Sequence, residues 1–197
     1  MTPDPSVGEA KAALRTRILD RRRARPVQER QAAAAAVTRA LLDGLAGVRA
    51  FAAYVPDDDE PGHGRLPAAF TQLRARVLLP VTPSDGRELA WAVDSGRLAP
   101  GRHGVLEPVG PRLGVTAVGT ADVVVVPALA VARNGIRLGR GGGYYDRALQ
   151  HARPDAVIVA LVFDDEFVDE LPAEPHDRRI TAVVTPSGGW QALPEAR

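Results

Sequence analysis

The residues with the clearest chemical capacity lie together, in Gly135-Ile136-Arg137-Leu138-Gly139-Arg140-Gly141-Gly142-Gly143-Tyr144-Tyr145-Asp146-Arg147. Glycines let a backbone curl around an anion with no Cβ in the way. Arg137 and Arg140 can each present a planar fork to phosphate oxygens. Asp146 cannot bind phosphate itself, but it can hold a Mg²⁺ ion that bridges to one. The chemistry suggested is phosphate binding with a metal counter-charge. The stretch is not a Walker A loop, since no Gly-Lys-Ser/Thr follows. It is not a dinucleotide fingerprint either, since its third glycine comes too early for G-x-G-x-x-G. A flexible, solvated basic loop is the competing reading. Tyr144 and Tyr145 can pack on a ligand or on the loop itself.

Other candidates are scattered. Of 25 Lys and Arg residues, Lys11 alone is a lysine, a compact point charge where the rest are forks. Lys11 and Arg15 are four apart and share a helix face. Arg21-Arg22-Arg23 reads as a solvated face. The acidic turn Pro56-Asp57-Asp58-Asp59-Glu60-Pro61-Gly62 reads as a solvated loop, or as one with a carboxylate facing a ligand. Asp164-Asp165-Glu166 follows a strand at its C-terminal end, where ligands gather in open α/β sheets. His176-Asp177 is a turn, or it completes a metal site with Asp146. His63 and His103 are isolated loop histidines without the spaced partners zinc needs.

The elements that must position these groups alternate. Residues 8–25 predict a basic amphipathic helix stopped by Pro26. A second helix runs from Pro26 to about Asp43, with Gly44 as its C-cap. Strands are expected at Val48–Val55, Arg76–Val81, Glu88–Val93, Asp122–Pro127, Ala156–Val162 and, last, Ile180–Thr185, with a helical segment at Leu66–Leu73. Four successive valines, Val123 to Val126, suit a strand covered on both faces. Tyr144 to about His151 has helical spacing, which gives the order strand, glycine loop, helix, with a helix N-terminus beside the loop. Trp91 is expected in the core. Residues 95–120 read as irregular, and the tail from Pro186 as loose. The class is α/β: a single domain over 1–197, a three-layer sandwich with a mostly parallel central sheet.

Composition sets limits. Cysteine is absent, which excludes disulfides, thiol nucleophiles and thiolate metal sites. A formal net charge of +1 gives no general pull toward nucleic acid or membrane. No apolar run is long enough to span a bilayer, and the polar start, Thr2 to Glu9, has no signal-peptide core. A cytoplasmic protein is expected, as a monomer, with a homodimer as the alternative.

At the level of whole blocks, the sequence resembles the 5-formyltetrahydrofolate cyclo-ligase (5,10-methenyltetrahydrofolate synthetase) family. The blocks are Pro127-Ala128-Leu129-Ala130 with the Gly135–Asp146 string, Lys11-Ala12-Ala13-Leu14-Arg15, Tyr54 to Gly62, Glu107-Pro108, and Pro172 with His176-Asp177. The resemblance implies an ATP- and Mg²⁺-dependent enzyme acting on a small-molecule folate. It implies ATP contacts from Lys11, Ala12, Ala13, Leu14 and Arg15, and from Arg137, Leu138, Gly139, Arg140, Gly141, Gly142, Gly143, Tyr144 and Tyr145. Arg140 and Lys11 would balance charge in the reaction, Asp146 and Asp177 would hold Mg²⁺, and Val55 and Glu60 would lie against the folate. The implied fold is similar to the sugar-phosphate isomerase and coenzyme A transferase layout. The sequence departs from the family pattern at Ala132, where an acid is common. It departs at His103, which is nearest to the place of an aromatic residue, and at Ile180-Thr181, where a second acid is common. The rival readings are a sugar-phosphate isomerase-like enzyme and a non-catalytic nucleotide-binding module.

Overall fold

The valine run builds the middle of a seven-stranded sheet. The structure is a computed structural model that describes residues 5–173 and 178–194. Its elements, in chain order, begin with α1 (Pro5–Ala24), α2 (Val27–Gly44), β1 (Ala50–Ala52), β2 (Arg76–Val81) and β3 (Ala90–Val93). β4 (Leu98–Pro100), β5 (Leu106–Pro108), β6 (Val123–Pro127), β7 (Ala130–Ala132), β8 (Arg137–Leu138) and α3 (Tyr144–Ala148) follow. The last are β9 (Val157–Leu161), β10 (Phe167–Val168), β11 (Ala182–Thr185) and β12 (Gly189–Ala192). The main sheet has the order β12-β11-β9-β6-β1-β2-β3. Its five inner strands are parallel and its two edges antiparallel.

Side-chain alternation along β6 explains the layers. Val123 and Val125 join one core with Val37, Leu41 and Leu45 of α2 and its C-terminal cap. Val124 and Val126 join the other core with Ala148, Leu149 and Val118. Helices therefore cover both faces, and the mostly parallel three-layer α/β arrangement is the one expected. Trp91 is fully buried. Among the described residues no helix is long and apolar enough to cross a membrane.

Several local expectations are corrected. Two short strands, β7 and β8, stand between the valine strand and the glycine loop and form a three-stranded sheet with the later β10, so Arg137 and Leu138 belong to a strand. The tail after Pro186 turns back as β12 and pairs with β11. Its Trp190 lies against α2 where a Cβ on Gly44 would come within 2.3 Å of the ring, so Gly44 serves a close contact and Leu45 is the C-cap. Residues 95–120 contain the β4–β5 hairpin rather than being wholly irregular. The segment after Leu66 is a 3-10 helix, Ala68–Gln72.

The largest correction concerns Arg22; its neighbours Arg21 and Arg23 are exposed, as expected of a solvated face. Arg22 is fully buried. It donates to both carboxylate oxygens of Glu166, at 2.8 and 2.7 Å, and to the Ala128 carbonyl at 2.7 Å. Glu166 also accepts the Phe163 N–H at 3.0 Å. Asp165 pairs with Arg21 and Arg25, and Asp164 with Ser187. The acidic triplet thus ties α1 and the tail to the sheet. Removing one partner of a buried ion pair leaves an uncompensated charge, at a cost of about 3–5 kcal/mol. Arg22→Met is therefore expected to lose that much in urea unfolding, and adding Glu166→Leu should recover part of it. A loss below about 1 kcal/mol, as for an exposed pair, would contradict this account.

Candidate active site

The glycine loop, the acidic turn and the end of β6 surround one cavity of about 420 Å³. Each wall follows from local sequence. Gly141 and Gly143 have φ of +93° and +70°, a left-handed backbone that side-chain-bearing residues rarely adopt. Gly143 caps α3, which is only five residues long, so little helix dipole supports the loop. The loop's charge comes from its side chains instead.

Arg140 crosses from the loop to the acidic turn. Its Nη2 lies 2.5 Å from Asp59 Oδ1 and 3.6 Å from Asp57 Oδ2, and its Nε lies 3.3 Å from Glu60 Oε1. Glu60 is 7% exposed, and its other oxygen accepts the Asp57 N–H at 3.0 Å. The turn is therefore folded around a carboxylate rather than merely solvated. Burial pushes the Glu60 carboxyl above the ordinary range, and the Arg140 guanidinium opposes that shift. Arg140 keeps a side-chain exposure of 42%, so an incoming anion can reach it.

Arg137 behaves differently. It is buried, ion-paired to Asp146, and donates to the Pro127 carbonyl at 3.3 Å. It braces β8 against β6 and α3, and its fork is already occupied. Tyr144, Tyr145 and Asp146 line the cavity, as do Val55 and Glu60 from the acidic turn and the residues before it.

The first helix reaches the same loop from outside. Arg15 Nε donates to the Gly139 carbonyl at 2.9 Å, and its guanidinium lies against Gly141. Lys11 is buried, Ala12 and Ala13 are exposed, and Leu14 packs beside Ile18, Leu129 and Leu138. Among the described residues, none from Lys11 to Arg15 forms the cavity wall. The two basic groups predicted to act together are thus adjacent, with the helix flanking the loop rather than lining the cavity.

Among the described residues no three His, Cys, Asp or Glu side chains converge as a metal group. Asp146 offers one carboxylate on the cavity wall, with a side-chain exposure of 54%. That suits Mg²⁺, which usually takes one or two carboxylates together with phosphate oxygens and water. Asp177 and His176 lie outside the described residues. Of the departures, Ala132 is fully buried in β7, and the Thr181 hydroxyl accepts the Ile158 N–H at 2.9 Å, away from the cavity. Sequence reasoning missed Tyr54, Asp57 and Asp59 as neighbours of the loop. The signals were the charges of the turn itself, for Asp57 and Asp59, and for Tyr54 an aromatic residue two positions before Pro56.

The sequence matches the 5-formyltetrahydrofolate cyclo-ligase family over residues 7–186. The chain belongs to this family. A relative named 5-formyltetrahydrofolate cyclo-ligase from Mycolicibacterium smegmatis is 45% identical over 190 residues, 93% of this chain and 97% of that protein. One from Escherichia coli K12 is 42% identical over 73 residues, 36% of this chain and 39% of that protein. The solution structure of Aquifex aeolicus 5,10-methenyltetrahydrofolate synthetase superposes with a TM-score of 0.74 at 25% identity, covering 95% of this chain and 94% of that one. A Mycoplasma pneumoniae 5,10-methenyltetrahydrofolate synthetase shares the fold, with a TM-score of 0.70 at 20% identity over 88% of this chain and 96% of that one.

The Glu60–Arg140 contact has a direct consequence. In ¹³C NMR titration the Glu60 carboxyl is expected to titrate above the usual glutamate value of about 4.3. In Arg140→Gln its midpoint should rise further, because the cation that favours the carboxylate is gone. A midpoint that stays or falls would contradict the pairing.

Proposed function

We propose that this protein converts 5-formyltetrahydrofolate to 5,10-methenyltetrahydrofolate with MgATP, releasing ADP and phosphate. The observation that carries this reading is the meeting of Arg140, from a glycine loop suited to phosphate, with Glu60 at one cavity wall. Family membership supports the reaction class. The cavity is flanked by Tyr54, Val55, Pro80 and Leu89, flat or apolar groups that suit a pterin ring.

The formyl group is amide-like, and its oxygen leaves poorly. In this reading the formyl oxygen attacks the terminal phosphorus and the bond to ADP breaks. The N10 lone pair then attacks the formyl carbon, N10 gives up its proton, and the C–O bond breaks as phosphate departs with that oxygen. No protein nucleophile is needed, which suits a chain without cysteine. The protein's work is alignment and charge compensation. Glycines 141–143 let the backbone approach the phosphates. Arg140 turns from Asp59 toward the transferring group, while Lys11 and Arg15 steady the nucleotide from α1. Arg137 holds Asp146 in place. Asp146, with Asp177, would hold Mg²⁺, which when bound neutralises phosphate charge. Val55 and Glu60 would hold the folate. A cytoplasmic monomer is the simplest setting, since loop and cavity come from one chain.

The test is absorbance of the methenyl product from 5-formyltetrahydrofolate with and without ATP. Product is expected only with MgATP. Arg140→Ala should keep its circular dichroism but lose roughly 10- to 150-fold in kcat/KM, since a charge-assisted hydrogen bond contributes about 1.5–3 kcal/mol. ATP-independent turnover would overturn the reaction proposed, and undiminished turnover in the variant would remove Arg140 from it.

A further inference from the structure

Six buried side-chain nitrogen or oxygen atoms among the described residues have no hydrogen-bond partner. Two belong to residues on the cavity wall: Arg137 Nε and the Tyr54 hydroxyl. Arg137 engages both of its other nitrogens, so its orphan is one atom of a satisfied fork. Tyr54 has no such excuse. It is 5% exposed, and its hydroxyl is its only polar side-chain atom.

An unpartnered buried hydroxyl weakens a fold, because it gives up water and gains nothing. Phenylalanine would fill the same space without that loss, and Tyr54 otherwise packs in the α2-side core beside Phe70 and Leu66. Packing therefore calls for the ring and does not account for the oxygen. The surroundings define what the oxygen can do. Glu60, Arg22, Tyr145 and Arg140 are the groups whose charges it feels. Burial, and after it the Glu60 charge, push its ionisation well above the ordinary tyrosine value. It is thus a neutral O–H, a donor without an acceptor. Both Glu60 oxygens already accept, from Arg140 and from the Asp57 N–H. Tyr54 lines the cavity, so an acceptor oxygen on a bound ligand would complete its bonding.

Resting on the folate reading above, we infer that Tyr54 is a substrate-specificity residue whose buried hydroxyl donates a hydrogen bond to a carbonyl-type oxygen of the bound folate. The formyl and pterin-ring oxygens are acceptors of this kind. The residue adds directionality to a largely apolar pocket. It also discriminates against analogues that lack the acceptor, since they leave the donor unpaired.

Tyr54→Phe tests this, with three readouts on the full chain. The first is thermal unfolding without ligands. The second is equilibrium binding of 5-formyltetrahydrofolate by calorimetry without ATP. The third is KM for folate and for ATP, measured separately. The variant is expected to be at least as thermostable as wild type. Its folate Kd and KM should rise about tenfold, the weight of one hydrogen bond, with KM for ATP within about twofold. Folate affinity unchanged within about twofold would overturn the inference while leaving the reaction intact. So would a lowered melting temperature with both KM values raised alike, which would make the hydroxyl a structural partner. If wild type neither binds nor converts the folate, the proposed function and this inference fall together.

Discussion

A single buried ion pair sets the position of everything at the loop. Lys11, Arg15, Ile18 and Arg22 recur at i, i+4, i+7 and i+11, so they share one face of α1. Of these four, Ile18 is the one apolar side chain, and it is buried. Apolar packing alone would hold such a helix loosely in rotation and register. The Arg22–Glu166 pair does not permit that freedom, because a slip would strand a charge in an apolar environment. Phe163 reinforces it, with the Arg25 guanidinium 4.1 Å and that of Arg22 5.6 Å from its ring centroid. With Arg22 fixed, Arg15 falls two turns away against Gly139. The small sheet β10-β7-β8, on which α1 lies, carries the loop at the end of β8.

The second constraint is a competition. In the structure described here Arg140 belongs to the acidic turn, where it offsets the buried Glu60 carboxylate. A phosphate bound at the loop, as proposed, would compete for the same guanidinium. Whatever draws Arg140 away leaves Glu60 with less compensating charge, and whatever neutralises Glu60 frees Arg140. In the proposed reaction, linkage through such an exchange would couple phosphate binding at the loop to ligand binding at Glu60 in both directions. Arg137, paired with Asp146 and held to β6, stays as the rigid part of the wall.

Much of this was legible in the sequence, for identifiable reasons. Val123 to Val126 had only one reasonable reading, and the layers followed from it. Arg76–Val81 carried its own boundaries. The glycine loop announced itself by composition, and the acidic turn by its charges. What stayed hidden rests on contacts distant in sequence or on elements too short for periodicity. Asp59 and Arg140 are 81 residues apart. β8 has two residues and β7 three, too few to alternate. Arg22 sits where a helix pattern calls for an apolar residue, inside a run of arginines, so it reads as solvated until Glu166 is seen opposite. β12 was masked by the Ser187-Gly188-Gly189 turn before it, although Trp190 in a supposedly loose tail was a usable sign of burial. Tyr54 was named in the sequence only as the first residue of the Tyr54 to Gly62 block; its burial shows in the structure alone, and nothing in a sequence shows that a hydroxyl lacks a partner.

The central claim is that the loop following β8 and the neighbouring face of α1 hold the phosphates of a nucleotide. Amide hydrogen exchange with Mg²⁺ and a non-hydrolysable ATP analogue, resolved to single residues, tests it most directly. At saturation, exchange should slow at Gly139 to Gly143 and in the first three turns of α1, and folate alone should not reproduce that pattern. A saturated complex that leaves the amides of Gly139 to Gly143 exchanging as they do without ligand would contradict it.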